Sequence, residues 1–272
     1  MNKVIYFKGK KIAYTIAGNN AGDCLMLVHG FCEDRSMWEH WLSKLVAEYR
    51  VIVVDLFGFG ESELLEDWQI VEAADLMAAV LEVESVMKTV FVGHSLGGYI
   101  GAAFAEKYGD LLNGLVFFHS TSYADSVEKR ADREKLIGFI GRYGTKPFLK
   151  AFFKKLLLPD FVKRKPTVLA DLKKRAARYA PNVLTTATRA MQLRPDRSVV
   201  LATLACPVAF IIGKQDVFVP YEQNLRECYL AKVGSVHLLE EVGHAGMFEA
   251  SEETLGIVMD FVRFCAVSAP KI

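Results

Sequence analysis

The chain has 272 residues, 52% of them hydrophobic and 24% charged, with a formal net charge of +1. That length is enough to bury one large core and allows one domain or two. No apolar run approaches the roughly 20 residues of a membrane-spanning helix, which excludes an integral membrane segment. No nucleic-acid-binding module is recognisable.

The five cysteines are odd in number and widely spaced, with no CxxC pair and no Cys/His cluster. Neither a zinc site nor a disulfide framework is therefore expected. The opening residues, Met1 to Lys8, are too short and too polar for a secretory signal, and the expected compartment is a reducing, cytoplasmic one. The sequence leaves the oligomeric state open between monomer and homodimer.

Residues 3–7 and 11–17 are two β-rich runs joined by Lys8-Gly9-Lys10, which reads as a hairpin. Cys24 to Val28 is a continuous apolar run, as in a strand covered on both faces of a parallel sheet, and it ends in His29-Gly30-Phe31. Ser36 opens a helical pattern with Trp38, Trp41, Leu42 and Leu45 on one face. Val51 to Val54 is the next buried strand and runs into Asp55-Leu56-Phe57-Gly58-Phe59-Gly60-Glu61-Ser62. A helix over about 68–84 precedes a strand from Thr89 to Val92, the turn Gly93-His94-Ser95-Leu96-Gly97, and a helix to about Tyr108. Leu115 to Phe118 is a further strand.

The alternation breaks over 121–198, which holds amphipathic helical stretches punctuated by Pro147, Pro159, Pro166, Pro181 and Pro195. It resumes with a strand from Val208 to Ile212 ending in Gly213-Lys214-Gln215-Asp216. A helix near 221–231, a strand near 235–239, a loop holding Val242-Gly243-His244, and a helix near 251–266 complete the chain. The expected fold is α/β: a mostly parallel, eight-stranded sheet with helices on both faces, carrying an all-helical insertion. Residues 1–120 and 199–272 would form the sheet domain and 121–198 the insertion.

Ligands of an open parallel sheet bind at the carboxyl ends of its strands, where Phe31, Ser95, Asp216 and His244 all fall. Gly93 to Gly97 fits the G-x-S-x-G nucleophile elbow, a sharp strand-to-helix turn that exposes a serine, and the order Ser, Asp, His suits that scaffold. A serine hydroxyl is a poor nucleophile near neutral pH and needs a base, a role that suits His244. Asp216 would fix the imidazole tautomer and stabilise the imidazolium.

These motifs, in this order and at these strand ends, resemble those of the α/β-hydrolase family over essentially the whole chain. The resemblance implies an oxyanion hole formed by the N–H groups of Leu96 and Phe31. It also implies that the helical insertion is a cap over the active site, and that no metal or cofactor takes part. Serine rather than aspartate at the nucleophile position argues against the branches that work through an aspartyl ester. Phe57 stands where many relatives carry proline, outside the catalytic set.

Other assignments compete for these residues. Asp216 could be a helix cap, and Asp125 is the rival acid. His29 and His94 belong to backbone-shaping motifs, so loop orientation suits them better than proton exchange. His119 ends a strand on the functional edge, and with Trp38, Tyr99 and Met247 it is a candidate for the pocket wall; Phe31 is another. Cys32 lacks a histidine partner and reads as a small buried hydrophobe. In the insertion, Phe139, Ile140, Phe148, Phe152, Phe153, Leu156, Leu157, Leu158, Met191 and Leu193 are numerous enough to roof a pocket, and the majority of them are expected simply to pack the helices onto the sheet domain.

Residues 121–198 carry 19 Lys+Arg against 7 Asp+Glu. This excess fits a solvated helical face, selection for an anionic substrate, or contact with an anionic surface. The function expected is hydrolysis of a small carboxylic ester through an acyl-enzyme on Ser95. The alternatives are carbon–carbon bond hydrolysis of a β-diketone-like acid, and a slow-turnover ligand receptor on the same scaffold.

Overall fold

The computed structural model describes residues 1–268. Eight strands form one sheet: β1 (Asn2–Phe7), β2 (Lys10–Gly18), β3 (Cys24–Val28), β4 (Arg50–Val54), β5 (Thr89–His94), β6 (Leu112–Phe118), β7 (Val208–Gly213) and β8 (Gly234–Leu239). Their spatial order is β1-β2-β4-β3-β5-β6-β7-β8. The β1–β2 and β2–β4 pairs are antiparallel and all the others parallel. The expected mostly parallel, eight-stranded α/β sheet is the one found.

The apolar runs explain the sheet's interior. β3, β5 and β7 are buried along their whole length, because helices cover both faces of a parallel sheet and no position is left for a polar side chain. β8, at the edge, instead alternates exposed and half-buried residues. β3 lies between β4 and β5, and Val28 pairs with Gly93. The loop after β3 and the turn after β5 therefore emerge side by side.

The helices flanking the first strands are α1 (Glu39–Leu45), α2 (Ile70–Val83) and α3 (Leu96–Tyr108). A short 3-10 turn over Arg35–Trp38 precedes α1, and its cap is Asp34, whose carboxylate accepts from the Ser36 N–H. Ser36 is thus inside the turn rather than at its cap. At the start of α2, Gln69 and Glu72 form a capping box that satisfies orphan N–H groups.

Between β6 and β7 run α4 (Val127–Tyr143), α5 (Thr145–Leu156), α6 (Pro159–Arg164), α7 (Pro166–Ala176) and α8 (Pro181–Leu193). Three of the prolines that punctuate the sequence here begin helices α6, α7 and α8. Proline's missing N–H costs nothing at that position and its fixed φ suits the first turn. Leu184, Ala187 and Ala190 make α8 a buried helix, packed lengthwise on α4. The helical run between β6 and β7 begins and ends side by side, where the Arg197 N–H donates to the Ser122 carbonyl at 3.0 Å. Helix α9 (Ser198–Thr203) then packs against α3 on the way to β7.

The described residues close with α10 (Tyr221–Cys228), α11 (Gly246–Glu249) and α12 (Ser251–Ser268). Among the described residues no helix is long and apolar enough to cross a membrane.

Candidate active site

Ser95 occupies the turn between β5 and α3 with φ 49° and ψ −111°. A non-glycine residue held there costs about 1–3 kcal/mol and persists only where its surroundings over-determine it. Here they do. The Ser95 N–H donates to the Phe118 carbonyl at 3.0 Å, and the Ser120 hydroxyl donates to the Ser95 carbonyl at 2.6 Å. The turn closes tightly enough that a Cβ on Gly93 would overlap the Gly97 carbonyl.

Asp216 follows β7 and His244 follows β8. The imidazole Nδ1 of His244 donates to Asp216 Oδ2 at 2.7 Å, with both side chains buried. The other carboxylate oxygen accepts from the N–H groups of Phe218 and Val219, at 2.8 and 3.1 Å. Burial alone would raise the Asp216 carboxyl. The charge and hydrogen bond of His244, with the Phe218 amide, outweigh it and hold the group below the usual carboxylate range.

Asp125, the rival acid, is engaged elsewhere: Arg133 and Arg194 both pair with it, the latter at 2.8 Å. Neither the Phe31 N–H nor the Leu96 N–H has an acceptor among the described residues. Leu96 begins α3, so its unpaired N–H is one that a helix start leaves open.

A cavity of about 350 Å³ contains both Ser95 and His244 in its wall, with Phe31, Tyr99, Phe148, Phe152, Met191 and Phe218. Helices α4, α5 and α8 each contribute to it. A larger cleft of about 710 Å³, bounded by Arg35, Asp55, Glu61 and Arg178, includes neither Ser95 nor His244.

Three expected wall residues are not in the cavity wall. Trp38 is fully buried, its ring centroid 4.9 Å from that of Trp41 and 6.0 Å from that of Phe118. Met247 is buried in α11. His119 points into the seam between β6 and β7, where its Nδ1 accepts from the Gly213 N–H at 3.1 Å. Burial pushes that imidazole down to about 3, so it is neutral, and its Nε2 has no partner among the described residues. Cys32 is also buried, and burial pushes its thiol well up; it is an inert thiol rather than a nucleophile.

Glu33 and Phe218 are neighbours of the site that the sequence patterns did not single out. The Phe218 ring sits 4.8 Å from that of His244. Glu33 Oε2 accepts both from the Gly30 N–H and from His94 Nδ1, each at 2.8 Å. His94 Nε2 faces the carbonyl of His244, also at 2.8 Å. A carbonyl can only accept, so Nε2 donates to it; Glu33, held ionised, accepts from Nδ1, and with both ring nitrogens donating His94 is an imidazolium. Burial disfavours its charge, but the Glu33 carboxylate outweighs burial and raises the imidazole above its ordinary value. Glu33, also penalised by burial, is held below the usual range chiefly by the charge of His94.

One buried ion pair thus ties together the loop after β3, the Ser95 turn and the His244 loop. Gly30 is obligatory in it, since a Cβ there would lie 2.6 Å from His94 Nδ1.

The chain matches the alpha/beta hydrolase family over residues 25–256. It is 27% identical over 261 residues to Lipase 1 of Psychrobacter immobilis, covering 90% of this chain and 78% of that one. It is 26% identical over 263 residues to a 2-hydroxy-6-oxononadienedioate/2-hydroxy-6-oxononatrienedioate hydrolase of Burkholderia vietnamiensis, covering 92% and 89%. Among solved structures, a thermophilic esterase from Thermogutta terrifontis, with malate bound, superimposes with a TM-score of 0.90 at 27% identity, covering 97% of this chain and 99% of that one. The family match, the eight-stranded sheet and relatives of hydrolytic activity agree, and the chain is a member of the alpha/beta hydrolase family.

Proposed function

We propose that the chain is a serine esterase that works through an acyl-enzyme, with Ser95 as nucleophile, His244 as base and Asp216 as the orienting acid. The observation that carries this reading is the buried His244–Asp216 hydrogen bond, on the edge of the sheet where Ser95 is held in its strained turn. With Nδ1–H committed to Asp216, His244 is left with a basic Nε2 in the wall that it shares with Ser95.

In the reaction, the Ser95 oxygen attacks the ester carbonyl carbon and His244 takes the hydroxyl proton. The resulting oxyanion is received by the N–H groups of Phe31 and Leu96, where one lost donor typically costs about two to three orders of magnitude in rate. The carbon–oxygen bond to the leaving alkoxide breaks as His244 returns the proton to it. Water, deprotonated by His244, then attacks the acyl-enzyme, and the carboxylic acid leaves as Ser95 regains its proton. No step calls for a metal or cofactor. In this reading, α4 to α8 form a cap whose apolar side chains shape the cavity and limit the access of water.

Labelling with a fluorophosphonate probe, combined with hydrolysis of p-nitrophenyl acetate, tests the proposal. Native protein is labelled and Ser95→Ala is neither labelled nor active. An unlabelled native protein, or equal labelling of the variant, sinks it.

A second reading, hydrolysis of a carbon–carbon bond in a β-diketone-like acid, draws on the similarity to the Burkholderia vietnamiensis hydrolase. A ring-cleavage dienoate turned over in preference to p-nitrophenyl acetate would favour it.

A further inference from the structure

The cavity that holds Ser95 has an unbalanced charge along the side formed by α4. Lys129 and Arg133 line it. Lys129 Nζ donates to the Phe218 carbonyl at 3.0 Å, and no carboxylate pairs with it among the described residues. Arg133 does meet a carboxylate, that of Asp125, but Arg194 shares the same group. Two guanidinium groups on one carboxylate leave a net positive charge.

The cations converge on Tyr99. The Arg194 guanidinium lies 3.8 Å from the centre of its ring. Burial would raise the Tyr99 hydroxyl, but Arg194, followed by Lys129 and Arg133, brings it below its ordinary value. Tyr99 thus stands among cations at the cavity wall. Lys155 adds a further cation to the rim, exposed and with no ion-pair partner among the described residues. The acidic residue of the lining, Asp132, is exposed and pairs with Lys135 at 3.0 Å, so it does not offset the excess.

Buried or half-buried cations without counter-ions are costly, and a ligand anion removes that cost. We propose that the substrate carries a carboxylate, in addition to the bond that is broken, and that this group is received between Lys129, Arg133 and Tyr99. The inference rests on the serine-hydrolase reading and adds the substrate class. The basic character of the helical segment is then concentrated to a purpose at this one wall, whatever its outer face does in solvent.

The test compares matched esters that differ only in charge, followed by pH-stat on the 272-residue chain. One pair carries the charge on the acyl side: monoethyl glutarate against its neutral amide, ethyl 4-carbamoylbutanoate. The second pair carries it on the alcohol side: the butyrate ester of 3-hydroxypropanoate against the ester of the corresponding amide. In at least one pair the carboxylate should be preferred in kcat/KM by roughly tenfold to a hundredfold at low salt, the range of a charge-assisted contact. The responding pair identifies the side that the anion occupies.

The preference should shrink at high salt, which screens partly exposed charges, and it should fall about tenfold or more in Lys129→Gln. The salt titration needs no variant and stands even where the substitution disturbs folding. Equal kcat/KM within both pairs, with hydrolysis still dependent on Ser95, overturns the carboxylate assignment and leaves the esterase reading intact. No hydrolysis of any of these esters, together with no labelling of Ser95, overturns both.

Discussion

Removing Glu33 exposes how the site is held. In Glu33→Ala, His94 keeps its place in a dry interior but loses the carboxylate that sustains its charge, and the Gly30 N–H loses its acceptor. Breaking a buried pair from one side costs about 3–5 kcal/mol. Glu33→Gln is informative because a neutral amide leaves His94 uncharged, with a single N–H to serve both the residue 33 side chain and the His244 carbonyl. With its oxygen toward Gly30, it forces an unprotonated His94 Nε2 against the His244 carbonyl; with its nitrogen there, it opposes the Gly30 N–H. One hydrogen bond is lost either way, which is worth about 1–3 kcal/mol.

Equilibrium urea unfolding of wild type and both variants measures these losses. Their pH dependence follows from the two shifts. Glu33 is depressed, so its contribution is present above 4.5 and is lost as pH falls through its lower folded value. His94 is raised, so its contribution is full below 6.5 and is lost as pH rises through its higher folded value. The gap between wild type and Glu33→Gln is therefore widest between those two pH values and narrows on the alkaline side. Glu33→Ala within about 1 kcal/mol of wild type across that window would refute the ion-pair assignment.

Two other substitutions probe the catalytic edge. Asp216→Asn keeps the acceptor for the Phe218 and Val219 amides but turns an N–H donor toward His244, favouring the wrong tautomer. kcat for p-nitrophenyl acetate should fall by about four orders of magnitude with the melting temperature little changed, and a drop below about tenfold would remove Asp216 from its role. Gly93→Ala drives a methyl into the Gly97 carbonyl, a backbone group with nowhere to go. A stability loss of at least about 1–3 kcal/mol is expected by urea unfolding, and an unchanged midpoint would contradict the tightness of the turn.

The sheet is legible in the sequence because burial on both faces leaves uninterrupted apolar runs: the run Cys24 to Val28 is β3 to the residue. The strand-end positions of Ser95, Asp216 and His244 follow from the same alternation. Side-chain direction within loops does not. His119 ends its strand on the correct edge, yet the ring turns into the β6–β7 seam. Trp38 was already marked by its spacing with Trp41 and Leu45 as part of a packed helix face, and that pattern was the better guide to it than its nearness to Phe31.

Glu33 and His94 are 61 residues apart in sequence, and no periodicity joins a loop residue to the turn it neutralises. The cavity's cations were hidden among exposed ones: Lys163, Lys173 and Lys174 belong to the same basic stretch as Lys129 but face solvent. Composition counts them alike, whereas the packing of α4 on α8 turns Arg133 inward, toward Met191.

The hydrogen bond between Arg197 and Ser122 has an evolutionary consequence. Because the chain returns to the spot it left, β6 and β7 can keep their register whatever the length of the detour, while its content is felt only where it touches the rest of the fold, as where the Tyr179 hydroxyl donates to the Glu33 carbonyl at 3.1 Å. Closing a longer loop costs only about 0.6 kcal/mol for each doubling. Residues 123–196 can in that sense be lengthened at little cost to β6 and β7, and are constrained at the positions, such as Lys129 and Tyr179, that bond outside the insertion. If the proposed esterase reading holds, the cavity wall can change through the helices between two anchored residues while Ser95, Asp216 and His244 stay on the turns of the sheet.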